Sequence, residues 1–545
     1  MKSKKMMMGT ISFSLLTSLI FTSGVSANTS TNSQFITDRE INEATNYSLQ
    51  AAVQTSVIYK QKIDIYKMHE YYFHSAGGQF TVSKFHSDSE DIIVTLMNIN
   101  TDDIVEVEYS KPFNLPGGHY VFVVQGENET PIDYHFEISG IYTEQPSGQL
   151  PALTVTKPGT HDVRLPKGST RLDVSGNTTA DELDLYLNFN DPISLGTPSF
   201  NKALSVQPGY NAAALNAYNS DTMNVVWSYY DVLSPGVKRI GGKDRYEVST
   251  GISKELNNQG AYSGTIIITR GDLYPDALSG GPLAAIEGAP VLLTGTKTLP
   301  TATINEINQI NPDKAIILGG TGSVSSNVES QLRSLGIETV QRIGGKDRFA
   351  VSAGVAEEMA DYSDTAIIAS GLNFPDALSA SGMAGYAGMP ILLVGTNTVP
   401  DSIQTFIKNH SDIKHFIIVG GPATVSDQVK TKIKQLRSGA VVERIGGLNR
   451  YQVSVNVANY GIENYDMDLS SLVIARGDLF PDALSGSPLA AFYGAPILLT
   501  TSSKLENNIN NYLKQKQGQT DFMYILGGTG SVSPTTEQQL SSFIK

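Results

Sequence analysis

Three phrases recur along this chain, always in the same order. "RIGGKDRY" at Arg239 returns as "RIGGKDRF" at Arg342 and as "RIGGLNRY" at Arg444. "YPDALS" at Tyr274 returns as "FPDALS" at Phe374 and Phe480, and "ILGGTGSVS" at Ile317 as "IVGGPATVS" at Ile418 and "ILGGTGSVS" at Ile525. Periods of roughly 20 to 50 residues indicate solenoids, whereas a spacing near 100 is that of a folded domain. Residues 235–340, 341–442 and 443–545 therefore read as three copies of one globular module. No Gly- or Pro-rich linker divides them, since "IETVQRIGG" runs from one copy straight into the next. The copies are expected to pack on one another around a pseudo-threefold axis.

Within the first copy, "TIIITR", "PVLLT" and "KAIILGG" are short apolar runs bounded by Gly or Pro, the pattern of buried strands. Between them, "PLAAIEG", "TATINEINQI" and "SSNVESQLRSL" carry helical spacing, the last with a Ser326-x-x-Glu329 capping box. Strands alternating with helices, and apolar throughout, imply a parallel sheet covered on both faces. The expected class is α/β for these modules.

The chain of 545 residues is too long for one core, and the part ahead of the repeats has a different texture. Aromatic and β-branched runs such as "EYYFHSAGGQFTVSKF", "GGHYVFVVQG" and "DYHFEISGIY" predict an antiparallel β-sandwich over residues 46–145. After "EQPSGQLP", the runs "STRLDVSG" and "MNVVWSYYDVL" predict a second β domain over 150–234, with Trp227 as a core residue. The first 27 residues place Lys2, Lys4 and Lys5 before an apolar run that ends in small residues, the form of an export signal, and 28–45 read as a polar leader. No later run approaches the ~18 apolar residues that span a bilayer, and "SSFIK" offers no anchoring tail, so surface retention is expected to depend on binding. The absence of cysteine excludes disulfides and thiolate chemistry.

Residues 29–234 carry 11 Lys and Arg against 25 Asp and Glu, while 235–545 carry 25 against 28. Neither half has the basic surface that nucleic acid requires. The near-neutral repeats admit an anionic partner only through a local cluster of cations.

The threefold series of "RIGGxxR[YF]", "[YF]PDALS" and "GGxxxVS" resembles the type 2 cell wall-binding repeat family of Gram-positive surface proteins. That resemblance implies one pseudo-threefold unit, from Arg239 to Lys545, that holds an exported protein non-covalently to an anionic wall polymer or a peptidoglycan-associated polysaccharide. Residues 46–142 are also similar to the pre-peptidase C-terminal-like β-sandwich domains of secreted peptidases, a likeness resting on "GGHYVFVV". The N-terminal β domains are then the displayed part, and the place where a protein partner would dock. A non-catalytic accessory of a wall hydrolase or secreted protease is the alternative.

Particular residues bear on this reading. Asp244, Asp347 and Asn449 stand where a helix N-cap is needed. Arg245, Arg348 and Arg450 follow them, in a first turn where a cation opposes the helix dipole unless compensated. Each either pairs with a carboxylate of a neighbouring module or reaches for an anionic ligand. Asp276, Asp376 and Asp482 follow a proline in a strand-to-helix turn, a position favoured by the dipole and, in parallel sheets, near the end where ligands bind. Arg270 and Arg476 open an Arg-Gly-Asp tripeptide that the second copy replaces with Ser370-Gly371-Leu372, so integrin-type adhesion is set aside. These eight Arg and Asp residues are the candidate polymer contacts. The "GGTGSVS" loops offer glycine-turn amides but lack the Lys-Ser/Thr of a P-loop and the third glycine of a dinucleotide fingerprint. No His-Glu-x-x-His or Gly-x-Ser-x-Gly motif occurs, and Asp88, Glu90 and Asp91 do not have the spacing of an EF-hand. No enzyme activity, cofactor or metal is expected.

Overall fold

In the first repeat the strands Thr265–Arg270, Val291–Thr294 and Lys314–Leu318 fall on the three apolar runs, and nearly every residue in them is buried. A computed structural model of the chain describes residues 53–83, 92–101, 103–105, 110–126, 131–143, 147–188, 190–274 and 276–545. The expected export segment, the leader and Asp88, Glu90 and Asp91 lie outside the described residues. The chain divides into two units, one holding the N-terminal strands and the other holding Ser234–Lys545 with two short flanking stretches.

The N-terminal unit is built of antiparallel β-sheets. Its long strand Lys67–Ser83 pairs antiparallel with Pro112–Gly126, which in turn pairs with Ile92–Asn98, while Val53–Ile63 pairs with Ile132–Tyr142. Between these layers lies an aromatic core that includes Tyr59, Tyr71, Phe73, Phe122 and Phe136. The strands of the two predicted β domains join in one sheet, because Val225–Ser234 pairs with the start of Lys67–Ser83. The junction is apolar, with Met68, Tyr72 and Val123 from one stretch packed with Ala214, Val225 and Tyr229 from the other. Inside it sits a carboxyl group. Glu70, 3% exposed, accepts hydrogen bonds from the Tyr72 hydroxyl (2.8 Å) and from Nε1 of Trp227 (3.2 Å), so the indole is more than core filling.

The second unit contains three four-stranded parallel sheets. In the first, the order is Val291–Thr294, Thr265–Arg270, Lys314–Leu318, Thr339–Ile343, and the last of these strands belongs to the opening of the second repeat. The second sheet runs Ile391–Val394, Thr365–Ser370, His415–Val419, and is completed by Val441–Ile445 from the third repeat. The third runs Ile497–Thr500, Ser471–Arg476, Phe522–Leu526, and its fourth strand is Gly236–Ile240, from the opening of the first repeat. Each repeat thus donates its opening strand to the preceding sheet, and the first closes the circle. Arg239 bonds to Gly527 across 288 residues, whereas Arg342 reaches Gly319 across 23; by loop length alone that closure costs about 2 kcal/mol more.

Three short helices, Gly280–Ile286, Pro375–Tyr386 and Ser487–Phe492, carry the modules' mutual contact. Their facing residues are small. A Cβ on Gly281 would stand 2.5 Å from Ser487 Cβ, and one on Gly385 would stand 2.8 Å from Ala285 Cβ. The Ser487 hydroxyl donates to the Ser381 carbonyl at 2.9 Å, tying the third repeat to the second.

Burial raises the Glu70 pKa from an ordinary 4.5 to about 7, against the pull of its two donors. A folded-state pKa above the unfolded one means the native state binds the extra proton, so this group's contribution is full below pH 4.5 and declines as pH rises to about 7. His69, held neutral by burial with its pKa lowered to about 3, acts in the opposite sense below pH 6.5. The wild type minus Glu70→Gln difference isolates the carboxyl. Its unfolding free energy is expected to fall by on the order of 3 kcal/mol between pH 4.5 and 8, measured by urea denaturation.

Candidate functional site

A sheet ordered 2-1-3-4 has a switch point between its first and third strands, where the following loops part in opposite directions. In each module those loops are the one bearing "PDALS" and the one bearing "GGxxxVS". They meet through one hydrogen bond. The Thr424 hydroxyl donates to Asp376 Oδ2 at 3.0 Å, the Ser531 hydroxyl donates to Asp482, and Ser323 plays the same part for Asp276. The contact is tight enough to dictate glycine. Gly319, Gly420 and Gly527 have φ of 116°, 118° and 104°, and a Cβ on any of them would come within 2.7 Å of the Asp carboxylate. Burial pushes the carboxyls of Asp276 and Asp376 above the usual range, countered by these hydroxyls and by Arg348 and Arg450 of the next repeats.

The capping residues behave as the sequence predicts. Asp244, Asp347 and Asn449 each accept two backbone N–H groups at the head of a helix, at 2.9–3.1 Å. Asn serves as well as Asp because both offer a carbonyl-type oxygen there. The capping box does not form: Ser325 is the N-cap, Ser326 is already helical, and Glu329 turns instead to Arg342 and Arg333. The local cap geometry was overridden by a cation from the donated strand.

The arginines after the caps form no salt bridge among the described residues, though Arg348 and Arg450 stand close enough to Asp276 and Asp376 of the preceding repeats to favour their charged forms. Nη1 of Arg245, Arg348 and Arg450 donates to the carbonyls of Gly271, Gly371 and Gly477, at 2.5, 2.6 and 2.7 Å. The rest of each guanidinium lies over an aromatic ring of a different repeat. Arg245 stands 5.8 Å from the centre of Phe480, Arg348 6.0 Å from Tyr274 and Arg450 5.6 Å from Phe374. Those rings are the first letter of the "[YF]PDALS" phrase, and they gather on the axis with centroids 5.3 to 5.7 Å apart. The Tyr274 hydroxyl also donates to the Leu372 carbonyl of the second repeat at 2.8 Å.

Of the eight residues singled out from the sequence, the three arginines and three aspartates come together around this axis, the arginines half-buried and Asp376 buried. Arg270 and Arg476 are occupied locally, by Asp272 and Asp478 with Nη2 to Oδ2 distances of 2.8 Å. Sequence reasoning missed the aromatic trio, whose signal was an aromatic kept before "PDALS" in every copy. It also missed the arginine of "RIGG". Arg239, Arg342 and Arg444 bond to the carbonyls of Gly527, Gly319 and Gly420 and to Glu537, Glu329 and Asp427, pinning each donated strand to its host. The amides of the glycine loops are used within the fold: Gly319 donates to Ile343, and Ser323 and Val324 to Gly320. Beside the rings, Leu273, Leu372 and Leu479 are about half exposed. Among the described residues no group of three or more His, Asp or Glu side chains is placed to hold a metal, and no helix is long and apolar enough to cross a membrane.

This arrangement can be set beside known proteins. The model of Cell wall binding domain 2 (CWB2) matches residues 239–329, 342–430 and 444–537. The N-acetylmuramoyl-L-alanine amidase LytC of Bacillus subtilis is 31% identical over 306 residues, 56% of this chain and 58% of that protein. An amidase enhancer of the same organism is 34% identical over 304 residues, again 56% of this chain and 40% of its own length. The chain spans about half the length of these curated relatives, and each match has the length of the repeat region. Among solved structures, Cwp6 from Clostridium difficile aligns with a TM-score of 0.53 at 24% identity, over 72% of this chain and 68% of that one. Cwp8 from the same organism aligns with a TM-score of 0.51 at 17% identity, over 95% and 94%. At those identities the likeness is one of fold.

Because each axial ring touches two other rings and one guanidinium, removing one loosens the whole ring of modules. Phe374→Ala is expected to lower the stability of the repeat unit by about 1 to 3 kcal/mol, read as a lower denaturation midpoint. Phe374→Tyr should restore most of the loss, since the first repeat carries tyrosine there.

Proposed function

Because the chain belongs to the cell wall binding domain 2 family, we propose that it is an exported surface protein held non-covalently on the bacterial cell wall by its three repeats. The repeats grip an anionic wall polymer or a peptidoglycan-associated polysaccharide, and the N-terminal β unit is what they display. The protein is non-catalytic in this reading, and it takes no cofactor.

One observation carries the reading: Arg245, Arg348 and Arg450 bond to glycine carbonyls rather than to carboxylates, so three cations stand together with no salt-bridge partner among the described residues. Arg270 and Arg476, already paired with Asp272 and Asp478, contribute secondarily. Asp276, Asp376 and Asp482 hold the loops that present the arginines. The rings and the exposed leucines give the same face an apolar component, suited to the flat faces of sugar rings.

Magnitudes explain the triplication. A charge-assisted hydrogen bond contributes ~1.5 to 3 kcal/mol, so a site built on one arginine holds a polymer only at roughly 5 to 80 mM. Three such sites on one rigid ring engage a repetitive polymer intramolecularly, and avidity exceeds single-site affinity by ~10² to 10⁴. Attachment is firm and reversible without a covalent anchor. The similarity to an amidase and to an amidase enhancer concerns the repeats, so it supports attachment and says nothing of the N-terminal unit. An accessory role toward a wall hydrolase or protease would reside in that unit.

The test is sedimentation of the full chain with purified walls. The triple variant Arg245→Gln, Arg348→Gln, Arg450→Gln, confirmed folded by circular dichroism, is expected to lose at least tenfold in affinity, and wild-type binding to weaken steadily with added salt. Undiminished binding by the folded variant removes these residues from the mechanism.

A further inference from the structure

Two of the ring's three joints are held by the chain itself. Thr339–Ile343 and Val441–Ile445 reach their host strands through a single intervening helix. The third joint, Gly236–Ile240 against Phe522–Leu526, joins residues from opposite ends of the repeat region. No covalent continuity limits its opening.

The same joint departs from the threefold pattern chemically. The residue ahead of each "RIGG" arginine is Lys238, Gln341 or Glu443, and it bonds to Glu255, Glu358 or Tyr460 on the helix that follows. At the first chain-continuous joint this is an exposed amide contact, Gln341 Nε2 to Glu358 Oε1 at 3.1 Å. At the second it is a bond from the Tyr460 hydroxyl to Glu443, whose half-exposed carboxylate also lies 2.5 Å from Nε2 of His415 on the host strand. At the closing joint it is an ion pair, Lys238 Nζ to Glu255 Oε2 at 2.6 Å, with Glu255 only 4% exposed. The other oxygen of Glu255 accepts from the Tyr524 hydroxyl at 2.5 Å, and that hydroxyl lies 3.3 Å from the Tyr493 hydroxyl. Tyr524 belongs to the host strand, directly opposite Lys238; its counterparts opposite Gln341 and Glu443 are Ile316 and Ile417, whose side chains have no polar atom. A buried charge that loses one partner is strongly destabilising, so this network resists partial opening.

We propose that Lys238, Glu255, Tyr524 and Tyr493 form a clasp that sets whether the ring is closed, and that they act as positioning residues for the axial face. The link is short. Arg245 follows the closing strand in the chain and lies over Phe480 of the third repeat, so opening this joint withdraws one of the three arginines from its ring. The two chain-continuous joints keep theirs. Only this last step rests on the polymer-binding reading; closure itself does not. A ligand that spans all three arginines binds the closed ring alone and therefore favours closure.

The test uses the full chain and two readouts. Tyr524→Phe removes the hydroxyl that crosses the joint and keeps the packing, Glu255→Gln removes the charge, and Gln341→Ala is the matched change at a chain-continuous joint. Val237→Cys with Met523→Cys, paired across the joint in a chain that has no cysteine of its own, locks it with a unique disulfide. Amide exchange in Phe522–Leu526 is expected to quicken about tenfold in Tyr524→Phe, while Lys314–Leu318 and His415–Val419 stay unchanged. Glu255→Gln is expected to bind purified walls about tenfold more weakly, with affinity restored by the lock and untouched in Gln341→Ala. Uniform quickening of all three strands, or an equal effect of Gln341→Ala, overturns the clasp. Loss of affinity that the lock does not restore overturns the positioning role. If exchange behaves as expected while even the wild type ignores walls, the clasp stands and the polymer reading falls.

Discussion

A three-stranded parallel sheet ends in a row of unpaired amides and carbonyls, and each module of this ring satisfies that edge with a strand borrowed from its neighbour. Much of the rest follows from this. The borrowed strand carries an arginine at a fixed place, and its guanidinium secures the carbonyl where the host strand ends. It then delivers a glycine pair and a capped helix, whose first arginine lands beside the next glycine carbonyl and over a foreign ring. Pairing one strand sets the position of each axial arginine.

Those axial arginines serve two ends at once. Bonded to a carbonyl and stacked on a ring, each is held in place before any ligand arrives, so little side-chain entropy remains to be lost on binding. Carboxylates such as Asp276 and Asp376 act on them only through space, without a direct ion pair, which leaves the cations more available than a bonded carboxylate would. Arg270 and Arg476 illustrate the contrast, because their neighbours Asp272 and Asp478 already satisfy them.

How far all this could be read from letters depends on how local each interaction is. Fully buried parallel strands leave unbroken apolar runs, and helices that start at Asp or Asn announce themselves, so the layered α/β character and the caps were plain. Strand donation was not. "TVQRI" looks like the start of a repeat because it begins the recurring phrase, yet its hydrogen bonds go backward to the previous module. The partners of Arg245 and its equivalents were equally hidden, since a glycine carbonyl has no side-chain letter and the ring belongs to another repeat. Glu70 shows the same in the N-terminal unit: a polar letter inside a strand suggests a wet face, and only the pairing of Val225–Ser234 with Lys67–Ser83 buries it.

Strand borrowing around a circle also works as a counting rule. The room for rings at the centre, where three stand at spacings of 5.3 to 5.7 Å, admits three members. A chain that lost one repeat, or gained a fourth, would leave one donor strand without a host and one sheet without its border, an exposed edge of the kind that recruits other chains. Gain or loss of a single repeat is therefore penalised by aggregation, and the protein can vary what precedes the ring far more freely than the size of the ring itself.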